Sequence, residues 1–290
     1  ADPCDVMAAG MATRSNGHRA GWAVTALVTG LAGLAASGGC RGDIGAGGPP
    51  APEGPGPGTQ GHPECTLSGQ PIRRLTATEY SNTVADLFPG VTLPESAPLP
   101  DERIDGFIGH HDGQSISALG TQRYEELADD IAVAAAAALG GWAPCSDDSA
   151  GCVQTIATEL GFKAFRRPLT EEETSAFETF AAESYAEHGF ELAVAMGVEG
   201  ILQMPSFLFR PEIADATAEG ELLPLDDYEM ASRLSYFFLD TMPDEQLFAA
   251  AAAGELTTPA GLESEARRLL LDDRARPILT SFLAEWLRLY

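Results

Sequence analysis

Lysine is almost missing from this chain of 290 residues: Lys163 is the single one, and Lys and Arg together number 17 against 43 Asp and Glu. The formal charge of -26 argues against a nucleic-acid surface, because phosphate binding needs clustered cations and draws its affinity from released counterions. It argues equally against an electrostatic hold on anionic lipid headgroups. No C-x-x-C occurs, so neither a zinc knuckle, a thioredoxin-like redox pair nor covalent haem attachment is encoded in these residues. A G-x-S-x-G elbow, a Walker lysine loop and an H-E-x-x-H helix are missing too, and with them the common signatures of hydrolase, nucleotide and zinc-protease chemistry. What is present is a 44% hydrophobic content, enough for a sizeable core in a folded, acidic protein of one or two domains.

The first residue is not Met, and residues 1–10 read as an upstream extension without periodicity, while Met11 opens a run that looks like a true start. Arg14, His18 and Arg19 form a charged n-region, and Ala20 to Ser37 is Gly/Ala-rich and free of charge, the layout of a secretory signal over residues 11–40. It ends at Ser37-Gly38-Gly39-Cys40, which resembles a bacterial lipoprotein signal, although the position three before the cysteine is Ser rather than the usual Leu. Three readings stand: lipidation of Cys40, simple cleavage after a small residue, and an uncleaved anchor. All three place the body outside the cytoplasm, in the periplasm or at the cell surface, and the first holds it to the membrane by lipid. Residues 41–70 are a Gly/Pro-rich linker with few apolar groups to bury. The Arg41-Gly42-Asp43 triplet inside it matches the cell-attachment tripeptide, a match that three residues reach by chance.

Five cysteines remain to be placed. With Cys4 upstream of the start and Cys40 at the processing site, an oxidising compartment leaves Cys65, Cys145 and Cys152, and the short CSDDSAGC turn pairs Cys145 with Cys152 as a disulfide at a helix entry. Cys65 is then odd.

From Pro71 onward the pattern is helix after helix. Thr76 and Glu79 form a T-x-x-E capping box, with Leu75 and Tyr80 at the staple positions; Tyr80, Val84, Leu87 and Phe88 share a face that ends at Pro89-Gly90. Tyr124, Leu127, Ile131, Ala135 and Ala138 build a second helix, whose AAAAA run suits a close helix–helix contact. Val153, Ile156 and Leu160 mark a third, ended by Arg166-Arg167-Pro168, and Thr170 with Glu173 caps a fourth. Leu192 to Met204 is apolar all round and reads as a central, buried helix; Asp226 and Glu229 cap the next, before Leu234, Phe237 and Phe238. Three shorter helices follow, the last carrying Phe282, Leu283, Trp286 and Leu287. No alternation long enough for a buried strand competes. The expected fold is all-α: a multi-helix bundle of about nine helices in one or two packed subdomains, preceded by a disordered Pro/Gly linker. The expected divisions are 71–140, 141–222 and 223–290. The last of these stops on an apolar face without cap or polar tail, which suggests part of something longer.

Candidate chemistry is sparse. His110-His111-Asp112 is the only adjacent imidazole pair, and neighbouring residues rarely point at one ion, so a solvated loop is the plainer reading. In the same DERIDGFIGHHD segment, Asp101, Asp105 and Asp112 with Gly106 echo a calcium loop, but Arg103 occupies a ligand position and repels a cation. No metal site is assigned. Carboxylate pairs such as Asp129-Asp130, Asp226-Asp227 and Asp272-Asp273 belong to solvated faces and helix starts. Arg166-Arg167 suits structural pairing with nearby acids better than an anion clamp, and Arg233, between apolar residues, suits a buried ion pair.

Several ordered blocks carry a family likeness: PIRRLTATEYSNTVADLF, the Gly106-Phe107 pair, KAFRRPLTEEE, MPSFLFRPE, YEMASRLSYFFLDTMPDEQLFAAAAAGEL and RRLLLDDRARPILTSFLAEWL. In this order they resemble the successive helical domains of unknown function in planctomycete-type cytochrome-associated proteins, over about residues 71 to 290. Where family members carry an Asp/Asn-rich run after the Gly-Phe pair, this chain has Ile108-Gly109-His110-His111. The resemblance implies a secreted or surface-exposed helical protein without established catalytic residues, so none is carried over. It also implies a further C-terminal part with a C-x-x-C-H for haem c; no cofactor is assigned to this chain itself. The expectation is an extracytoplasmic, lipid-tethered binding or electron-transfer protein. Its partners are the membrane, through lipid, and a redox partner protein, with no nucleic acid. The alternative is an extracytoplasmic enzyme acting on a polymer or other macromolecule through an acidic cleft.

Overall fold

Helix starts are the best-defined local feature of the molecule. Thr76, Ser117, Ser149, Thr170, Asp226, Asp244 and Thr258 each accept a hydrogen bond from the backbone N–H three residues on. At Thr76, Thr170 and Asp226 the glutamate at that third position reaches back to the cap's own N–H, so all three capping boxes expected from the sequence close.

The computed structural model describes residues 72–212 and 224–289. The signal-like segment, Cys40, the linker, the Arg-Gly-Asp triplet and Cys65 lie outside the described residues. Among the described residues are α1 (Ala77–Leu87), α2 (Ala118–Ala137), α3 (Ala150–Phe165), α4 (Glu171–His188) and α5 (Phe190–Gln203). They are followed by α6 (Pro205–Leu208), α7 (Asp227–Leu239), α8 (Glu245–Ala252), α9 (Pro259–Leu270) and α10 (Ala275–Trp286). The fold is all-α. The one helix beyond the sequence expectation is α6, a single turn started by Pro205 at its first position, too short to show a periodicity.

Four two-residue strands complete the chain. β1 (Arg73–Arg74) pairs antiparallel with β4 (Phe209–Arg210), Arg73 opposite Arg210, and so clips the entry of α1 to the exit of α6. β2 (Arg103–Ile104) and β3 (Phe107–Ile108) form a hairpin turned by Asp105 and Gly106, at φ 52° and 100°. Positive φ at both turn residues is the Asp-Gly geometry that matches strand twist. The segment read against a calcium loop is therefore a hairpin, and Asp101, which precedes it, is held by Arg74 and by the Ala77 N–H at 2.7 and 2.6 Å.

Two hydrophobic clusters organise the helices. The larger gathers α1 to α6: α5 lies against α2, α3 and α4, with Ala193, Val198 and Leu202 fully buried. The alanine run of α2 does serve a close contact, since Ala135 and Ala136 are buried and α2 packs most extensively on α5. Leu192 and Met204, at the two ends of the apolar stretch, are exposed, so α5 is buried through its middle and not all round. Gly161 lets α3 and α4 meet, because a Cβ there would stand 2.6 Å from the Phe177 ring. The smaller cluster is built by α7, α8 and α9 around Leu247, Leu256 and Leu269. Tyr236 and Met242 of the second region face the other way and belong to the first core. Cys145 and Cys152 are joined by a disulfide that closes the loop before α3, with Ser149 capping inside it.

Candidate functional site

Helix α1 carries two stripes. Tyr80, Val84 and Leu87 point into the first core; on the adjoining face Glu79, Asn82, Thr83 and Asp86, at i, i+3, i+4 and i+7, meet the rest of the molecule. Glu79 divides its carboxylate: Oε2 accepts the Thr76 N–H at 2.7 Å, and Oε1 lies 3.1 Å from Arg210 Nη2. Asn82 Nδ2 donates to the Asp240 carbonyl at 3.2 Å. Thr83 Oγ1 and Tyr236 OH are 2.9 Å apart. Thr241 donates to Asp86 Oδ2 at 2.7 Å. One helical face thus binds β4, α7 and the turn between α7 and α8.

The centre of this seam is dry. Glu79, Thr83, Arg166 and Tyr236 are all buried, Thr83 completely. The Arg210 guanidinium lies 4.5 Å from the Tyr236 ring centroid and that of Arg166 5.7 Å, so the ring is the neutral spacer between two cations. Arg166 stands in the left-handed region at φ 60° as the C-cap of α3, and its guanidinium donates to the carbonyls of Ala164, Ser206, Phe207 and Phe209. Burial pushes this guanidinium below the ordinary arginine range and the Tyr236 phenol above its own. A second buried arginine, Arg74, is 2.7 Å from Asp101 and also binds Tyr124 OH and the Gln114 carbonyl. Such pairs hold geometry because removing one partner strands the other.

Asp240 sits at the rim of the seam in the left-handed region, φ 48°, as the C-cap of α7. Its carboxyl is pushed up to about 6, by burial first and then by Glu79, against a lowering influence of Arg210. Tyr80, beside Tyr124 and Phe207, has a buried hydroxyl with no protein partner, and burial raises its phenol.

The residues singled out from sequence disperse. His110 Nδ1 is 3.8 Å from Asp112 in the loop before α2, and His111 opens a 3-10 turn over His111–Gly113. Arg167 makes a bidentate pair with Glu173, both bonds 2.9 Å, as structural pairing requires. Arg166, however, binds carbonyls, because a helix end with orphan acceptors is what its side chain meets. Arg233 pairs with Glu212 but is half exposed; among the described residues, Arg74 and Arg210 make buried ion pairs instead. Asp227 accepts the Leu256 and Thr257 N–H groups, and Asp272 binds Arg274, so these acids terminate backbone and do not face each other as an acid/base pair. Among the described residues, Cys145, Asp147 and Cys152 form a cluster with metal-ligand atoms within 4.8 Å, but the two sulfurs are bonded to one another.

Neither of two clefts among the described residues gathers these groups. These two shallow clefts are one lined only by aliphatic residues of α3 and α5 together with Gly197, with no room for a ligand, and one under Trp142, with Glu159 and Lys163 on its wall. Apolar periodicity alone does not reveal the seam. The polar period over Glu79, Asn82, Thr83 and Asp86 was there to be read.

Three family models match the chain in succession. Residues 73–137 match PSD3, described as a protein of unknown function (DUF1587). Residues 152–212 match PSD5, a protein of unknown function (DUF1595). Residues 225–290 match PSD4, a protein of unknown function (DUF1592). The chain is thus similar to multi-domain proteins of unknown function that carry these three in series. No curated protein and no solved structure matches it.

Proposed function

We propose that the chain is the helical, N-terminal part of an extracytoplasmic protein, held at the membrane by lipid on Cys40. In this reading it serves as a binding or scaffolding module beside a haem c-containing part that takes part in electron transfer with a redox partner protein. The observation that supports the proposal is the exposed apolar face of α10. In α10 only Ala275 is buried, while Phe282, Leu283, Trp286 and Leu287 are about half exposed or more. An exposed apolar surface of this kind marks an interaction site. The Cys145–Cys152 disulfide supports the oxidising compartment, where such bonds persist. The rival reading, an enzyme acting on an extracellular polymer, needs a cleft that gathers carboxylates, and the two cavities described above offer one carboxylate between them.

Two measurements test this. Mass spectrometry of the membrane fraction is expected to find Cys40 as a diacylglyceryl N-terminus; a free, soluble N-terminus refutes the anchor. The reading frame after Tyr290 is expected to encode a C-x-x-C-H, and without one the haem c part of the proposal loses its basis.

A further inference from the structure

Asp240 is placed where its charge is poorly tolerated. The turn it begins lies against α1, fixed by the Asn82 bond to its carbonyl and by Thr241 on Asp86. Its carboxyl itself makes no hydrogen bond or ion pair among the described residues. The charged groups around it are unbalanced. Glu79 and Asp86 come from α1 and Glu285 from α10, against Arg210 of β4, already held by Glu79; Arg274 reaches Asp86 only at 3.9 Å, and Arg103 is bound to Glu285 at 3.0 Å. On its own helix the nearest titratable group is the buried Tyr236, which stays neutral.

We propose that Asp240 is a pH-operated latch on the seam between the two cores: protonated, it lets the α7–α8 turn lie against α1, and ionised, it loosens that contact. An ionised carboxylate confined beside two acids without a partner is relieved when the turn lifts into water, whereas the neutral acid has nothing to gain from lifting. The turn itself suits such movement, since two hydrogen bonds near its start, from Asn82 to the Asp240 carbonyl and from Thr241 to Asp86, fix it to α1. The direction follows from the carboxyl's position at about 6, above the ordinary aspartate value of about 4. The closed state is fully favoured below the lower value and loses that advantage as pH rises through the upper one. Over pH 5 to 8 this gives about a tenfold rise in the opening equilibrium.

Amide hydrogen exchange on the full chain reads the latch directly. Residues 239–244 and the facing turns of α1 are expected to open about tenfold more at pH 8 than at pH 5, after correction for intrinsic exchange. Asp240→Asn keeps the left-handed backbone, which Asn tolerates as well as Asp, and holds a neutral side chain at every pH. It is expected to remain protected at both values. Glu285→Gln removes one repelling charge, and its opening midpoint is expected to fall below that of the wild type. Exchange that is independent of pH in the wild type, an equal pH dependence in Asp240→Asn, or loss of protection in that variant at both pH values overturns the proposal.

Discussion

The two cores put their charges in opposite places. In the first, from α1 to α6, arginines lie inside: Arg166 and Arg74 are buried, and each is satisfied by carbonyls, a phenol or a carboxylate. In the second, from α7 to α10, the arginines stay at the rim and the large apolar side chains of α10 go outside. Arg268 binds Asp244 and Glu265 while 28% exposed, Arg267 and Glu263 are paired in water, and Trp286 is 61% exposed. Over residues 259–290 Arg267, Arg268, Arg274, Arg276 and Arg288 balance Glu263, Glu265, Asp272, Asp273 and Glu285, so the excess of acids belongs upstream. The lesson is physical: buried charges impose one arrangement of the elements around them, while rim pairs are replaceable and leave a surface free to bind.

The largest test of this contrast is Arg166→Ala. Four carbonyls lose their donor in a dry place, and the end of α3 loses its tie to α6 and β4, so a loss of roughly 3–5 kcal/mol is expected. Denaturant titration measures it, and a loss below about 1 kcal/mol would mean that water replaces the guanidinium and that the first core is less closed than its burial implies.

Next in size is the disulfide, which also belongs to the first region. Replacing Cys145 and Cys152 together by Ala frees a short loop and is expected to cost about 2 kcal/mol, by the loop-closure model. The oxidised wild type should resist thiol labelling at both positions until reductant is added. Labelling without reductant would break the assignment of this staple.

A smaller effect is expected on the seam itself. Thr83→Val and Tyr236→Phe each remove one hydroxyl of a buried pair, and a double-mutant cycle is expected to return a coupling of about 1 kcal/mol. A coupling near zero would show that the two hydroxyls find water instead, leaving the Asn82–Asp240 and Thr241–Asp86 hydrogen bonds to carry the polar part of the seam.

Much of the first core was legible before the fold was known. Thr76 with Glu79 and Thr170 with Glu173 announce helix starts because the reciprocal hydrogen bonds are local and need nothing from the rest of the chain. The alanines of α2 were legible for a related reason, since small side chains at helical spacing suit one close partner. What escaped was of two kinds. The Asp105-Gly106 hairpin carries a strong local signal, but its carboxylates invited a metal reading that hid it. The seam residues Arg210, Tyr236 and Asp240 lie far from α1 in sequence, and nothing local says that Thr83 will face Tyr236 across 153 positions. Arg233 misled for the same reason: its apolar neighbours in sequence suggested burial, whereas the helix turns it toward Glu212 at the surface.

The smallest expected effect sharpens the contrast most. Arg268 makes more carboxylate contacts than Arg74, with both oxygens of Asp244 at 2.9 and 2.7 Å and with Glu265 at 2.7 Å, so a count of bonds would rank it the more important. Exposure reverses the ranking. Water already solvates part of Arg268 and of Asp244, Asp244 keeps its role as the α8 cap through the Leu247 N–H, and the buried Glu265 keeps Gln246 as a donor at 2.8 Å. Arg268→Ala is therefore expected to cost under about 1 kcal/mol, and less in high salt, where exposed pairs are screened. The measurement is a pair of denaturant titrations at low and high ionic strength. A loss matching that of Arg166→Ala, unmoved by salt, would show that the second core is held by charge as firmly as the first and would remove the distinction between them.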